Sequence, residues 1–291
     1  MFSGVYTALI TPFKNGEVDF DALGKLIENQ YKAGISGIVP CGTTGESPTL
    51  SHEEHEQIIE FCVKQAKGKM KTLAGTGSNS TAEAIRFTQF AQKVGCDGAL
   101  IVAPYYNKPT QKGLYLHFKK VADTVDIPII LYNIMGRASV NIEPATIAKL
   151  CADCKNIVGV KEASGFLSQM ITLKALIPNI NLLSGDDALT LPILSIGGIG
   201  VISVLSNILP LETLSLIRAF EKGNIKEAKK IHYKFLPLIN ALFIETNPIP
   251  IKTAASLLGI CSPEIRLPMC GMEETNKAQL EKVLVDFKLL K

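Results

Sequence analysis

The chain has 291 residues, 47% of them hydrophobic and 20% charged, with a formal net charge of +3. That length holds one large α/β barrel or two average domains, and the composition excludes a disordered chain. So small a charge, with no Lys/Arg-rich run, excludes an electrostatic footprint for nucleic acid and points to small-molecule substrates.

At the start, residues 1–5 lack a basic segment followed by a long apolar core, so no signal peptide is expected. Short Val- and Ile-rich runs then alternate with amphipathic stretches. Strand Gly4–Leu9 is followed by helix Phe20–Ala33, Gly37–Pro40 by Ser51–Ala66, Lys71–Ala74 by Thr81–Val94, and Gly98–Val102 by Gln111–Thr124. Ile129–Tyr132 precedes Pro144–Leu150, Ile157–Lys161 precedes Leu167–Ile177, Asn181–Ser184 precedes Ala188–Ile196, and Gly200–Ser203 precedes Leu209–Glu221. Ser51 ahead of Glu53 and Glu54 is an N-cap with an acidic first turn, and Ser80 with Glu83 reads as a capping box. The apolar run Leu191–Leu205 is broken by Gly197, Gly198 and Gly200 and is too short to span a bilayer.

Eight such alternations predict an α/β chain closed into a (β/α)8 TIM barrel. The competing doubly wound sheet lacks its dinucleotide fingerprint: after Gly75-Thr76-Gly77, position 80 is Ser where the third glycine belongs. Residues 1–224 form the expected barrel. Residues 225–291 add a helical segment, including Lys226–Phe243 and Lys277–Leu289, packed with the barrel because no linker separates them. Seven scattered cysteines form no disulfide framework, which suits a reduced, cytoplasmic protein.

A parallel barrel carries its site at the carboxyl ends of its strands. Those ends hold Gly42-Thr43-Thr44-Gly45-Glu46, Tyr105-Tyr106, Tyr132-Asn133, Lys161-Glu162, Gly185 and Ile202-Ser203, a set suited to an anionic carbonyl compound. Strict alternation puts Ile157, Gly159 and Lys161 on one face, with Gly159 leaving space beside the lysine stem. A dry wall favours the neutral amine that attacks a ketone; the competing reading is a stem that snorkels its head to water. Tyr132 and Tyr106 are proton shuttles or structural phenols. The Gly42–Gly45 turn can offer N–H groups and hydroxyls to a carboxylate, or be an ordinary turn. Arg137 can fork onto a second carboxylate or sit at the surface.

Rival chemistries are weaker. His52 and His55 do not have zincin spacing, and Cys151-Ala152-Asp153-Cys154 is a lone Cys-x-x-Cys without a partner pair. Cys41 has no histidine base, no Gly-x-Ser-x-Gly elbow occurs, and no P-loop follows the threonine turn.

Together, Gly42–Glu46, Tyr132-Asn133 with Arg137, and Val160-Lys161-Glu162-Ala163 resemble the dihydrodipicolinate synthase family, within the N-acetylneuraminate lyase superfamily of class I aldolases. The likeness runs from Phe2-Ser3-Gly4 through Asn247-Pro248-Ile249-Pro250 to Arg266-Leu267-Pro268. It implies a Schiff base between Lys161 and pyruvate, then condensation with L-aspartate 4-semialdehyde on the route to diaminopimelate and lysine. It also implies a relay of Thr44, Tyr106 and Tyr132, with Tyr106 supplied across a dimer interface. Thr43, Gly185 and Ile202 would line the pyruvate pocket, and Arg137 would hold the semialdehyde carboxylate. No cofactor or metal is implied.

The resemblance further implies a homotetramer built as a dimer of dimers, inhibited by L-lysine at a site of Ser47, His52, His55, Asn79, Glu83 and Tyr105. Met135 departs from the family, which commonly has proline there; this removes a φ restraint from the loop carrying Arg137. The alternatives are an aldolase for N-acetylneuraminate or a keto-deoxy-sugar acid on the same scaffold, and a non-catalytic lysine-binding barrel.

Overall fold

The Val- and Ile-rich runs form eight parallel strands, seen in a computed structural model that describes residues 2–290. They are β1 (Gly4–Ala8), β2 (Gly37–Val39), β3 (Lys71–Gly75), β4 (Gly98–Val102), β5 (Ile129–Asn133), β6 (Ile157–Glu162), β7 (Asn181–Ser184) and β8 (Gly200–Ser203). Hydrogen-bonded in sequence order and closed from β8 back to β1, they make a TIM barrel. The helices between them are α1 (Phe20–Ala33), α2 (His52–Ala66), α3 (Thr81–Val94), α4 (Gln111–Ala122), α5 (Pro144–Asp153), α6 (Leu167–Leu176), α7 (Thr190–Ser195) and α8 (Pro210–Glu221). After them come α9 (Ile225–Ala241), α10 (Ile249–Leu257) and α11 (Glu274–Asp286). Most bounds fall within two residues of those expected. The sequence reading did not resolve α10 or the short hairpin Phe13–Lys14 with Glu17–Val18.

Contacts divide the chain into two units, Met1–Gly4 with Lys71–Ile202, and Val5–Met70 with Ser203–Lys291. In the first unit, the outward sides of β4 to β7 carry an apolar cluster over most of their length. Ala99, Ile101, Ile129, Leu131, Ile157, Val160 and Leu182 share one buried cluster with Leu114, Phe118, Ile147 and Leu173 from the helices. Each such aliphatic side chain withdrawn from water contributes about 1.5–3 kcal/mol. In the second unit, α1 packs on α2 and α8, α8 on α9, and α11 on both α9 and α10.

Two local expectations are corrected. Ile157 does not share a face with Gly159 and Lys161. The β5–β6 register slips from Ile129↔Ile157 to Ile130↔Gly159, so Val158 is an extra residue that turns Ile157 outward beside Val160. The capping box also lies at α2, where Ser51 Oγ accepts the Glu54 N–H and Glu54 accepts the Ser51 N–H. Ser80 caps α3 with no side-chain hydrogen bond, because Glu83 instead accepts the hydroxyl of Ser78.

Candidate active site

Past the bulge, register alone assembles the first half of the site. Tyr132 lies opposite Lys161, and Lys161 opposite Leu183, at one level of the barrel wall. Lys161 is only 6% exposed, and its Nζ stands 3.9 Å from the centroid of the buried Tyr132 ring. A buried amine against an aromatic wall differs from a snorkelling surface lysine.

The space for that side chain comes from Gly185, just past β7, and not from Gly159. A Cβ at Gly185 would lie 2.9 Å from Lys161 Cε, 3.0 Å from its Cγ and 2.8 Å from Ala163 Cβ. At Gly159 a Cβ would instead strike Asn181 and Ile130. Gly185→Ala is therefore expected to displace the amine and lower kcat about a hundredfold, the usual scale for an ångström of misplacement at a reacting group. Steady-state kinetics on the folded variant checks this.

Behind the lysine, on the other side of the same strands, the fully buried Glu162 and Asn133 lock the backbone. Asn133 Nδ2 donates to Glu162 Oε1 and Oε2 at 3.2 and 3.1 Å. The Ser164 N–H reaches Oε1 at 2.8 Å and Gln169 Nε2 reaches Oε2 at 3.2 Å. Asn133 Oδ1 accepts the Ile142 N–H at 2.9 Å, and its Nδ2 also donates to Asn141 Oδ1 at 2.9 Å. Such a satisfied network fixes geometry while avoiding the cost of buried unpaired groups.

That network also anchors both ends of the loop carrying Arg137. Within it, Met135–Ala138 forms a single helical turn closed by Ala138 N→Ile134 O at 2.9 Å and Ser139 N→Met135 O at 2.8 Å. Arg137 is exposed on this turn. Ile202, on β8, is 1% exposed. Tyr106 is 89% exposed with φ 71, a left-handed backbone that an ordered tyrosine keeps only when its surroundings demand it.

The second unit carries the threonine turn. Gly45 N→Gly42 O at 3.1 Å, Glu46 N→Thr43 O at 3.2 Å and Ser47 N→Gly42 O at 3.4 Å close it on itself. Position 45 is tight: a Cβ there would approach Leu9 O to 3.1 Å, and the Cys41 nitrogen and Thr11 Oγ1 to 3.2 Å. Thr11 Oγ1 donates to Gly45 O at 2.7 Å. Thr44 is buried, Thr43 half-buried, and Asn247 Nδ2 donates to Thr44 Oγ1 at 3.0 Å. The Cys41 thiol is turned to the backbone carbonyl of His55, 3.6 Å away.

The residues expected around an amino-acid effector fall into two groups. In the first unit Ser78 joins Asn79, Glu83 and Tyr105. Burial, then the Glu83 charge, raises the Tyr105 phenol's pKa, against hydrogen bonds from Ser78 and the Asn79 backbone. In the second unit Ser47 opens a single 3-10 turn, and His52 and the buried His55 lie in the first turn of α2.

The sequence does not single out Ser78, and it names Asn247 and Glu162 without giving them these roles. Ser78 could have been found as the serine two residues before an N-cap, since its Oγ accepts the Ser80 N–H at 3.0 Å. Asn247 and Glu162 carry no local signal.

The sequence profile of the Dihydrodipicolinate synthetase family matches residues 1–286. A 4-hydroxy-tetrahydrodipicolinate synthase of Endomicrobium trichonymphae is 74% identical over 291 residues, covering 100% of each chain. A lysine-bound structure of the Cyanidioschyzon merolae enzyme superposes with TM-score 0.96 at 43% identity, covering 99% of each chain. The chloride-inhibited Acinetobacter baumannii enzyme in complex with pyruvate superposes with TM-score 0.96 at 40% identity, covering 100% of each.

Proposed function

Because the chain belongs to the Dihydrodipicolinate synthetase family, we propose that it condenses pyruvate with L-aspartate 4-semialdehyde to give 4-hydroxy-tetrahydrodipicolinate. It is a Schiff-base lyase of the class I aldolase type, serving the diaminopimelate route to lysine. The observation that carries the reading is the buried Lys161 amine over Tyr132, with Gly185 opening room for its stem. The relatives favour this reaction over sugar-acid cleavage.

The chemistry follows from those groups. The neutral Lys161 amine adds to C2 of pyruvate, and the carbinolamine loses water once a proton reaches its hydroxyl. The resulting iminium draws electrons from C3, so loss of a C3 proton gives an enamine. That carbon attacks the aldehyde, and the semialdehyde's own amine then displaces Lys161 from C2, closing the ring and freeing the enzyme. Tyr132 and Thr44 carry the protons in this reading, with Tyr106 reaching from a partner subunit; the exposure of Tyr106 supports that assignment. Thr43, Gly185 and Ile202 shape the pyruvate pocket, and Arg137 binds the semialdehyde carboxylate.

Borohydride reduction in the presence of pyruvate tests it. The expected product is a three-carbon adduct on the Lys161 peptide, read by mass spectrometry; an unmodified peptide would sink the assignment.

L-Lysine is the expected feedback inhibitor, bound by Ser47, His52, His55, Asn79, Glu83 and Tyr105. The grouping of Asn79, Glu83 and Tyr105 around Ser78 supports this. Glu83→Ala, which removes the carboxylate that meets an ammonium group, should abolish most of the inhibition while leaving uninhibited turnover near wild type. Equal inhibition of both proteins refutes the site. The assembly is proposed as a dimer of dimers. The proposed compartment is the cytoplasm, in keeping with seven cysteines scattered along the chain; no helix among the described residues is long and apolar enough to cross a membrane.

A further inference from the structure

We propose that helix α10 is the clamp that shapes the pyruvate-binding turn, with Lys252 and Asn247 as its two positioning residues; this rests on the reading of Thr43 and Thr44 given above.

Glu46 is the residue at which the threonine turn ends. Its backbone is left-handed, with φ 57, and Cys41 on the other side of the turn has φ 54. Two non-glycine residues in that region flank four residues, and such backbones persist only where their surroundings over-determine them. At Glu46 the restraint is visible. Its carboxylate is fully buried, and Oε1 accepts from Lys252 Nζ at 2.6 Å while Oε2 accepts the Arg266 N–H at 3.2 Å.

Lys252 is itself 1% exposed, an ammonium inside the protein. Burial lowers its pKa, and the charge and hydrogen bond of Glu46 oppose that shift without cancelling it. The Phe13 ring closes the pocket. Lys252 Nζ and the Arg266 guanidinium carbon each lie 4.2 Å from its centroid, and Arg266 is spent on Glu54 through both of its carboxylate oxygens. Cys261 and Glu264 also face Lys252 and oppose the effect of its burial, and Glu264 accepts the Gly16 N–H. A buried pair is weak evidence for stability, but fixing a conformation is a use such pairs serve.

The second contact comes from the segment leading into that helix. Asn247 lies just before α10 and donates to Thr44 Oγ1 at 3.0 Å. A hydroxyl has one proton to give, so by accepting from Asn247 the Thr44 oxygen keeps its own O–H free to point at another acceptor. The helix and the residue ahead of its cap thus hold the turn at two residues two positions apart, fixing the peptide at Glu46 and the hydroxyl at Thr44.

The test separates positioning from packing. In Glu46→Gln/Lys252→Met both charges go and no ion is left unpaired, so the protein should melt within a few degrees of wild type. The expected kinetic result is a rise of about tenfold in KM for pyruvate, the scale of one lost hydrogen bond to a charged group. The KM for the semialdehyde should stay within about twofold, and Lys161 should still be reduced onto saturating pyruvate. A folded double variant with wild-type KM for pyruvate overturns the proposal. Asn247→Ala reads the other contact and decides the matter should the double variant not fold: the same selective rise supports the clamp, and an unchanged pyruvate KM removes it. Failure of wild-type Lys161 to take up pyruvate would strike the underlying reading instead, and is scored before any variant is compared.

Discussion

Lys161→Ala should lower turnover by about 10^4-fold or more, the order seen when a catalytic nucleophile is deleted, while the protein stays folded. The buried amine is the only electron sink this reading provides, so no neighbour substitutes for it. Without the imine, the C3 proton of pyruvate keeps its ordinary ketone acidity and the carbon nucleophile does not form. Lys161→Arg sharpens the result. It keeps a cation near Tyr132, but a guanidinium does not form the imine. Both variants should therefore be inactive and take no adduct with borohydride. Turnover in the arginine variant would mean that the lysine acts only as a charge. Thermal melts guard against misreading an unfolded protein.

The barrel was legible because its signals are local and repeated. Strands buried on both faces read as unbroken Val/Ile/Leu runs, and helices such as α2 announce themselves with Ser51 and an acidic first turn. Lys161 was legible for a related reason: a charged residue closing an apolar strand is informative wherever it falls. The error at Gly159 came from assuming a perfect period of two. A single bulged residue flips the face of everything before it, and the register between β5 and β6 cannot be seen in either strand alone.

Ser80 and Glu83 fit the capping-box pattern, yet Ser78 offers Glu83 a better partner in the folded chain. Asn247 and Lys252 were beyond reach for a different reason. Their partners Thr44 and Glu46 lie 203 and 206 residues away in sequence, and no periodicity encodes such a pairing. The helix that carries Lys252 was itself missed, since Pro248 and Pro250 at its start read as loop.

The second large effect concerns stability. Glu46→Gln alone leaves the Lys252 ammonium buried against a neutral amide, and breaking a buried pair on one side costs about 3–5 kcal/mol. Adding Lys252→Met removes the stranded charge, so the double variant should recover most of that loss. The pH dependence has a definite sign. Burial already lowers the pKa of Lys252, and Glu46 is the largest of the groups opposing it, ahead of Cys261 and Glu264, so in Glu46→Gln the folded-state value falls further below that of the unfolded chain. Between those two values the unfolded state binds the extra proton, and stability rises with pH. The deficit of Glu46→Gln should therefore shrink as pH is raised from about 7 towards 10, approaching the double variant, whose difference from wild type lacks this rise. Urea melts of the three proteins at both pH values measure it. A single variant as stable as the double at pH 7 would show that the lysine reaches water when its partner is removed, and that the pair is not the sealed element that the 2.6 Å contact describes.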